Sequence, residues 1–339
     1  MFRIIHNKGG DMENRYGELK LLTGTSHPEL AKRVAAKLMV ELVQVDISTF
    51  ANGEIRAAIE ENVRDCDLFF LQSLHSQLPV SMFEEVEFLT DCAKDSAGRI
   101  SGILPWLGYC KQDRKTKPRE SRSLKVVARR LSNCGLHRVM LFDLHNKATA
   151  DFFDVPNDHV YLMRLLIEEF QSRRLKDVVI GGPDFSSGKR VDAISRITGI
   201  EEDCLIKKIH DPVSKELDLN KSKVYGDIAG RDIWFFDDMI QSFGTLLQAG
   251  RIAKKAGAKK LVAAAVHPNF TPAYKGKPSA LQLIEDSDFD EVIVVDTIPH
   301  EDRADWPKKI TLIDPSAYIA NCIKYLHEGK QLSPLFLSY

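Results

Sequence analysis

The chain has 339 residues, 44% of them hydrophobic and 28% charged, with 47 Lys and Arg against 48 Asp and Glu for a net charge of −1. That length predicts two domains, each with its own core, and the near-neutral balance argues against a general nucleic-acid binder, which carries a basic excess. No apolar run approaches the ~20 residues needed to cross a bilayer. The six cysteines (Cys66, Cys92, Cys110, Cys134, Cys204 and Cys322) are scattered with no C-x-x-C pair, as expected of reduced cytoplasmic thiols, not of a disulfide framework or zinc site.

In chain order, residues 1–17 are polar, lack the apolar core of a signal peptide, and read as a flexible extension. A strand at Leu19–Leu22 leads to a helix near Pro28–Leu38, then strands at Leu42–Ile47 and Leu68–Leu71. A helix near Pro79–Ala97 precedes a strand at Ile100–Leu104, and a helix at Ser123–Cys134 precedes a strand at Val139–Phe142. The rhythm restarts with a helix near Val160–Arg173, a strand at Val178–Ile180, a helix near Lys189–Ile197 and a strand at Ile233–Phe236. A helix at Phe243–Ala256, strands at Leu261–Val266, Val292–Val295 and Ile310–Ile313, and a helix near Ser316–Leu326 complete the chain. Alternating strands and helices imply an α/β protein with parallel sheets covered on both faces. Two similar doubly wound domains are expected, at residues 18–155 and 156–339. Residues 207–223 are polar, without periodicity, and read as a mobile loop.

The most informative segment runs from Asp232 to Thr245. Its apolar run Ile233–Phe236 has the character of a strand buried on both faces. Asp237 and Asp238 follow, then Gln241, Ser242, Phe243, Gly244 and Thr245 at the start of a helix. Ligands of open α/β sheets bind at such carboxyl ends of strands, and N–H groups at a helix start suit a phosphate. The acid pair suits sugar hydroxyls or a phosphate-bound metal, so the segment describes a pocket for a phosphorylated sugar. Other polar groups also stand where strands stop: Asp143 with His145, Asp184 followed by Ser186, Ser187, Lys189 and Arg190, the stretch Tyr109–Lys115, and the turn Phe50–Glu54. Taken singly, each has an ordinary explanation as a helix cap, a structural histidine or a solvated basic face.

Together they resemble the ribose-phosphate pyrophosphokinase (phosphoribosyl pyrophosphate synthetase) family. The resemblance runs from Thr23 and Gly24 through Phe50–Glu54, Tyr109–Lys115, Asp143–His145, Phe152–Pro156, Pro183–Asp184, Gly226–Asp227 and Asp237–Thr245 to Thr297–Pro299 and the Pro334–Phe336 tail. It implies domains of phosphoribosyltransferase type and magnesium-dependent transfer of the β,γ-diphosphoryl group of ATP to the 1-hydroxyl of ribose 5-phosphate. By the same resemblance Phe50, Asn52 and Glu54 hold adenine from a neighbouring subunit, and Lys111, Gln112 and Asp113 line the ATP site. His145 and Asp184 serve Mg2+, Asp237 and Asp238 meet the ribose hydroxyls, and Gln241, Ser242, Phe243, Gly244 and Thr245 wrap the 5-phosphate. Lys207 is the loop lysine that closes on the transferred group, and His145 and Lys207 are the expected catalytic pair. A cytoplasmic homo-oligomer is implied, dimer-based and up to a hexamer, with no nucleic-acid or membrane partner.

Several positions depart from the family pattern. Lys111 replaces an Arg, which keeps the charge and loses the bidentate fork. Ile209 stands where a second loop cation is expected, Gln241 removes a negative charge, the glycine pair after Asp184 is replaced by Ser186 and Ser187 or shifted, and Pro268 follows His267 in place of glycine. Phe243 adds bulk beside the acceptor phosphate, where an aromatic could stack on a larger substituent. Two further readings follow: the same transfer to ADP-ribose, or a non-catalytic regulatory subunit. A phosphoribosyltransferase that consumes the activated sugar shares the acid pair and loop, but leaves Asp143–His145 and Lys111–Lys115 without a role.

Overall fold

A computed structural model describes residues 16–75, 79–211, 217–300 and 303–335. The expected extension therefore lies outside the described residues except for Tyr16 and Gly17, as does Phe336 of the tail.

Five parallel strands form the first sheet, in the order β1 (Leu19–Thr23), β4 (Asp67–Leu71), β5 (Arg99–Leu104), β6 (Arg138–Phe142) and β7 (Asn157–Val160). Seven strands form the second: β10 (Lys223–Tyr225), β9 (Asp203–Lys207), β8 (Val178–Gly182), β11 (Asp232–Ile240), β12 (Leu261–Pro268), β13 (Glu291–Val295) and β14 (Ile310–Ile313). Only β10 runs antiparallel to its neighbour in this sheet. The remaining pair, β2 (Val45–Thr49) and β3 (Ile55–Ile59), forms a separate antiparallel hairpin.

Strand alternation decides which face each side chain covers. Leu21, Phe69 and Ile103 of the first sheet join Trp234, Phe236 and Val262 of the second in one shared core. Leu22, Phe70 and Leu104 face a core belonging to the first sheet alone, and Ile233, Phe235 and Ala263 one belonging to the second. Helices supply the complementary stripes at the 3.6-residue period. In α3 (Ser123–Asn133) these are Leu124, Val127, Ala128 and Leu131; in α4 (Met163–Ser172) they are Met163, Leu166, Ile167 and Phe170.

The two halves are thus less separate than two self-contained domains. The polar strand β7 extends the first sheet to Val160, past the expected boundary at residue 155. The last helix, α8 (Ser316–His327), returns to pack on α1 (Pro28–Leu38) through the shared core. Its end is tied down by Asp67, a fully buried carboxylate on β4. Arg99 donates to both Asp67 oxygens at 2.7 and 2.6 Å and to the Leu326 carbonyl at 3.2 Å, while His327 Nδ1 lies 2.8 Å from Asp67 Oδ2.

A buried network ties the halves together at the other end of α1. Asp296, past the end of β13, meets His27 Nε2 at 3.1 Å, Arg33 at 2.6 Å, and Arg303. Burial pushes Asp296 up, but His27 and Arg303 outweigh it and hold its pKa at about 2.

Candidate active site

The acid pair does not follow β11 as expected; it lies within it. β8 pairs with β11 only as far as Phe235, whereas β12 accompanies β11 to Ile240. Where β8 ends, the side chains of Asp237 and Asp238 face a cavity of about 220 Å³. Its lining brings together Lys111, His145, Asp184, Asp237, Asp238, Gln241, Ser242, Phe243 and Thr245, drawn from both halves of the molecule.

His145 arrives from the first sheet, three residues beyond β6. Its Nδ1 sits 2.8 Å from Asp238 Oδ2, and this contact outweighs burial to raise the imidazole pKa. Asp238 is correspondingly held well below the ordinary carboxylate range: burial would raise it, but His145 and Arg190 prevail. Asp237 behaves oppositely. Burial and the neighbouring Asp238 charge push it up to about 6 against the pull of Arg190. Arg190, in the first turn of α5 (Gly188–Thr198), pairs with both carboxylates. Sequence reasoning passed over Arg190 as one member of the polar run after Asp184.

Asp143 has a different task. Buried, with a left-handed backbone (φ 38°), its carboxylate accepts from the N–H groups of Leu162 and Met163 at the start of α4. Burial pushes it up to about 7. His267 is fully buried, bonded to Thr297 Oγ1 at 2.9 Å, and pushed down to about 4 by burial, so it braces the core from β12.

Asp184 caps a short 3-10 helix (Phe185–Ser187) before α5. Its Oδ1 accepts from Ser186 Oγ at 2.5 Å and from Ser187 N and Oγ at 3.2 and 3.0 Å. Ser186 and Ser187 thus orient this carboxylate. Burial raises Asp184, but the two serines and Lys208 more than offset it and lower its pKa.

Lys208 lies within electrostatic reach of Asp184 and Asp237. Lys207 closes β9 and is exposed, opposite Lys223. Lys208 continues the inward register of buried Cys204 and Ile206. Burial lowers its pKa, opposed by Asp184 and Asp237. The segment expected to be a mobile loop begins and ends in paired strands, β9 and β10, and residues 212–216 lie outside the described residues.

Phe243 lines the cavity with the rest of its turn, but its ring does not stand free beside it. Only 3% exposed, it stacks edge-on against Phe289 with ring centroids 5.3 Å apart, so its ring is committed to the core and not to a bulky acceptor. Its left-handed backbone (φ 61°) forms the start of α6 (Gly244–Lys255), whose first-turn N–H groups have no intrahelical acceptors. The preceding Gln241 is anchored by Thr271 N, 3.0 Å from its carbonyl, and its side chain accepts from Lys111 Nζ at 3.1 Å.

Lys111 and Gln241 also line an adjoining cavity of about 210 Å³ with His75, Trp106, Gln112 and Asn269. Gln112 accepts from Ser123 Oγ at 2.8 Å and Asp113 from Asn146 Nδ2 at 2.9 Å, which fixes this stretch beside the His145 loop. Phe50, Asn52 and Glu54 stand apart from both cavities at the tip of the β2–β3 hairpin, with Phe50 53% exposed. Among the described residues no cluster of three or more His, Cys, Asp and Glu could hold a metal by itself. The donors present suit magnesium, which binds through one or two protein groups together with water and substrate phosphates.

Two largely parallel sheets sharing one core, with an acid pair before a phosphate-ready helix start and a second polar wall across the cleft, define a phosphosugar- and nucleotide-handling α/β enzyme. Residues 19–135 match the N-terminal domain of ribose phosphate pyrophosphokinase, and residues 187–337 match the phosphoribosyl synthetase-associated domain. A ribose-phosphate pyrophosphokinase of Buchnera aphidicola is 34% identical over 94% of this chain and 99% of its own length. One of Vibrio cholerae is 33% identical over the same shares. The crystal structure of phosphoribosylpyrophosphate synthetase from Mycobacterium smegmatis superposes with a TM-score of 0.81 at 32% identity, covering 92% of this chain and 99% of that one. The chain belongs to the ribose-phosphate pyrophosphokinase family and is a diphosphotransferase.

Proposed function

We propose that this enzyme transfers the β,γ-diphosphoryl group of ATP to the 1-hydroxyl of ribose 5-phosphate, giving phosphoribosyl pyrophosphate and AMP. The observation that carries the reading is the single cavity joining His145 and Asp184 to Asp237, Asp238 and the Ser242–Thr245 turn. In the reaction the 1-hydroxyl oxygen bonds to Pβ, the Pα–O–Pβ bridge breaks on the Pβ side, AMP leaves with the bridging oxygen, and the hydroxyl proton is released. Such chemistry asks the protein for alignment and charge neutralisation, not covalent help.

Each wall has its part. Asp237 and Asp238 accept hydrogen bonds from the ribose hydroxyls. The Ser242–Thr245 turn and the free N–H groups of α6 hold the 5-phosphate at the positive end of the helix. His145, oriented through Nδ1 by Asp238, and Asp184, oriented by its two serines, would hold Mg2+ directly or through water. Bound there, the ion neutralises phosphate charge that would otherwise repel the incoming hydroxyl. Lys208 takes the role expected at Lys207, placing a cation beside the transferred group. Lys111, Gln112 and Asp113 line the nucleotide side, and the Phe50 hairpin of a second copy completes the adenine site in a homo-oligomer.

The ADP-ribose reading loses its main support, because Phe243 is packed in the core. The meeting of two polar walls in one cavity argues equally against a purely regulatory subunit. Purified protein with ATP and magnesium should release AMP with ribose 5-phosphate and not with ADP-ribose. AMP only with ADP-ribose, or with neither acceptor, would overturn the proposal.

A further inference from the structure

Arg190 has no role in the reading above, yet it lines the same cavity and is paired with both of its adjacent carboxylates. From the first turn of α5 it reaches three acceptors at the end of β11: the Phe236 carbonyl at 3.3 Å, Asp237 Oδ1, and Asp238 Oδ1 at 2.7 Å. The other oxygen of Asp238 meets His145 Nδ1 at 2.8 Å. A continuous chain of contacts therefore runs from Asp237 through Arg190 and Asp238 to His145, joining the second sheet to the first.

Adjacent carboxylates repel each other and rotate freely unless something fixes them. A planar guanidinium bridging one oxygen of each sets their separation and angle and leaves their remaining capacity for another donor. The geometry points to Arg190 as a positioning residue that holds Asp237 and Asp238 in the arrangement that receives the vicinal hydroxyls of the acceptor, and that stays in place when the acceptor binds. The opposite role would be a plug, occupying the acids in the empty enzyme and displaced by the sugar. Three-point anchoring favours the fixed role. Displacement would break the Phe236 bond as well as both ion pairs, and Arg190 sits on a helix whose Val191, Ala193 and Ile194 are buried.

The inference rests on the acid pair being the acceptor subsite, and the test separates the two ideas. Binding of ribose 5-phosphate to the full chain is measured by calorimetry, with binding of ATP in the presence of magnesium as the control, for wild type, R190Q and R190K. If wild type binds no ribose 5-phosphate, both the acceptor assignment and the role built on it fall. If wild type binds, R190Q should weaken ribose 5-phosphate by 10- to 100-fold while changing ATP affinity less than 3-fold. R190K should fall between them, because an ammonium keeps the charge but lacks the planar fork that fixes the angle between the two carboxylates. Tighter acceptor binding in R190Q would identify a plug and overturn the inference. Equal loss of both ligands, or loss of neither, would reduce Arg190 to a structural residue. Should R190Q not fold, R190K decides alone: a selective 3- to 10-fold loss of the acceptor supports the inference, and its absence overturns it.

Discussion

Replacing Lys208 and Lys207 one at a time by alanine separates two neighbours of identical chemistry. The strand register sets them apart: Lys207 is exposed at the end of β9, whereas Lys208 is half-buried and feels Asp184 and Asp237. A fixed cation facing charge that develops in the transition state contributes about as much as one oxyanion donor, roughly 2.7–4 kcal/mol, or ~10²–10³ in kcat. Lys208→Ala should therefore lower kcat by about that factor at saturating ATP and ribose 5-phosphate, with both KM values changing ~3-fold or less. Lys207→Ala should cost at most ~3-fold in kcat, because an exposed lysine interacts through high dielectric and salt screening. AMP release followed continuously by a coupled assay reads both. A larger loss in Lys207→Ala, or equal losses in the two variants, would refute the register argument.

The Asp296 network makes stability depend on pH in a stated direction. Its folded pKa of about 2 lies below the unfolded value, so its contribution is present above pH ~4 and lost as pH falls through 2, amounting to about 2 kcal/mol. In denaturant titrations Asp296→Asn should flatten the acid limb and destabilise the protein near neutrality; an unchanged acid limb would contradict the assignment. Phe50→Ala should raise the KM for ATP about 10-fold with little change in Tm, since the ring is 53% exposed and belongs to none of the hydrophobic cores of the described residues. A drop in Tm without a KM change would assign the ring to the fold. The Lys111–Gln241 bond is exposed, so a double-mutant cycle on ribose 5-phosphate binding should give a coupling energy of only about 0.5–1 kcal/mol. A coupling several-fold larger would make this contact a principal link between the two walls.

What could be seen in the sequence follows from how strongly burial marks each segment. Ile233–Phe236 was visible because a strand covered on both faces reads as continuous apolar residues, and α3 and α4 because their buried stripes recur at helical spacing. The strands β3 and β7 escaped because, apart from Val160, their residues are not fully buried, and Asn157, Asp158 and His159 carry no apolar run. The carboxylates and the phosphate turn were readable because their chemistry is local to one segment. Arg190 was not: its partners lie 46 to 48 residues away, and only the β8–β11 pairing brings them together. Lys207 and Lys208 differ only in register, which two consecutive identical residues cannot display. Phe243 looked like a residue with a free ring because nothing in the sequence shows that its left-handed backbone and Phe289 would seat the ring in the core.

Following the fate of the nucleotide's phosphorus atoms probes the central claim most directly. With ATP labelled separately at the β and γ positions, ribose 5-phosphate as acceptor and magnesium present, both labels should appear together on the sugar at C1, with one AMP formed per product molecule. Transfer of the γ label alone with release of ADP would contradict a diphosphoryl transfer between the two walls of this cleft.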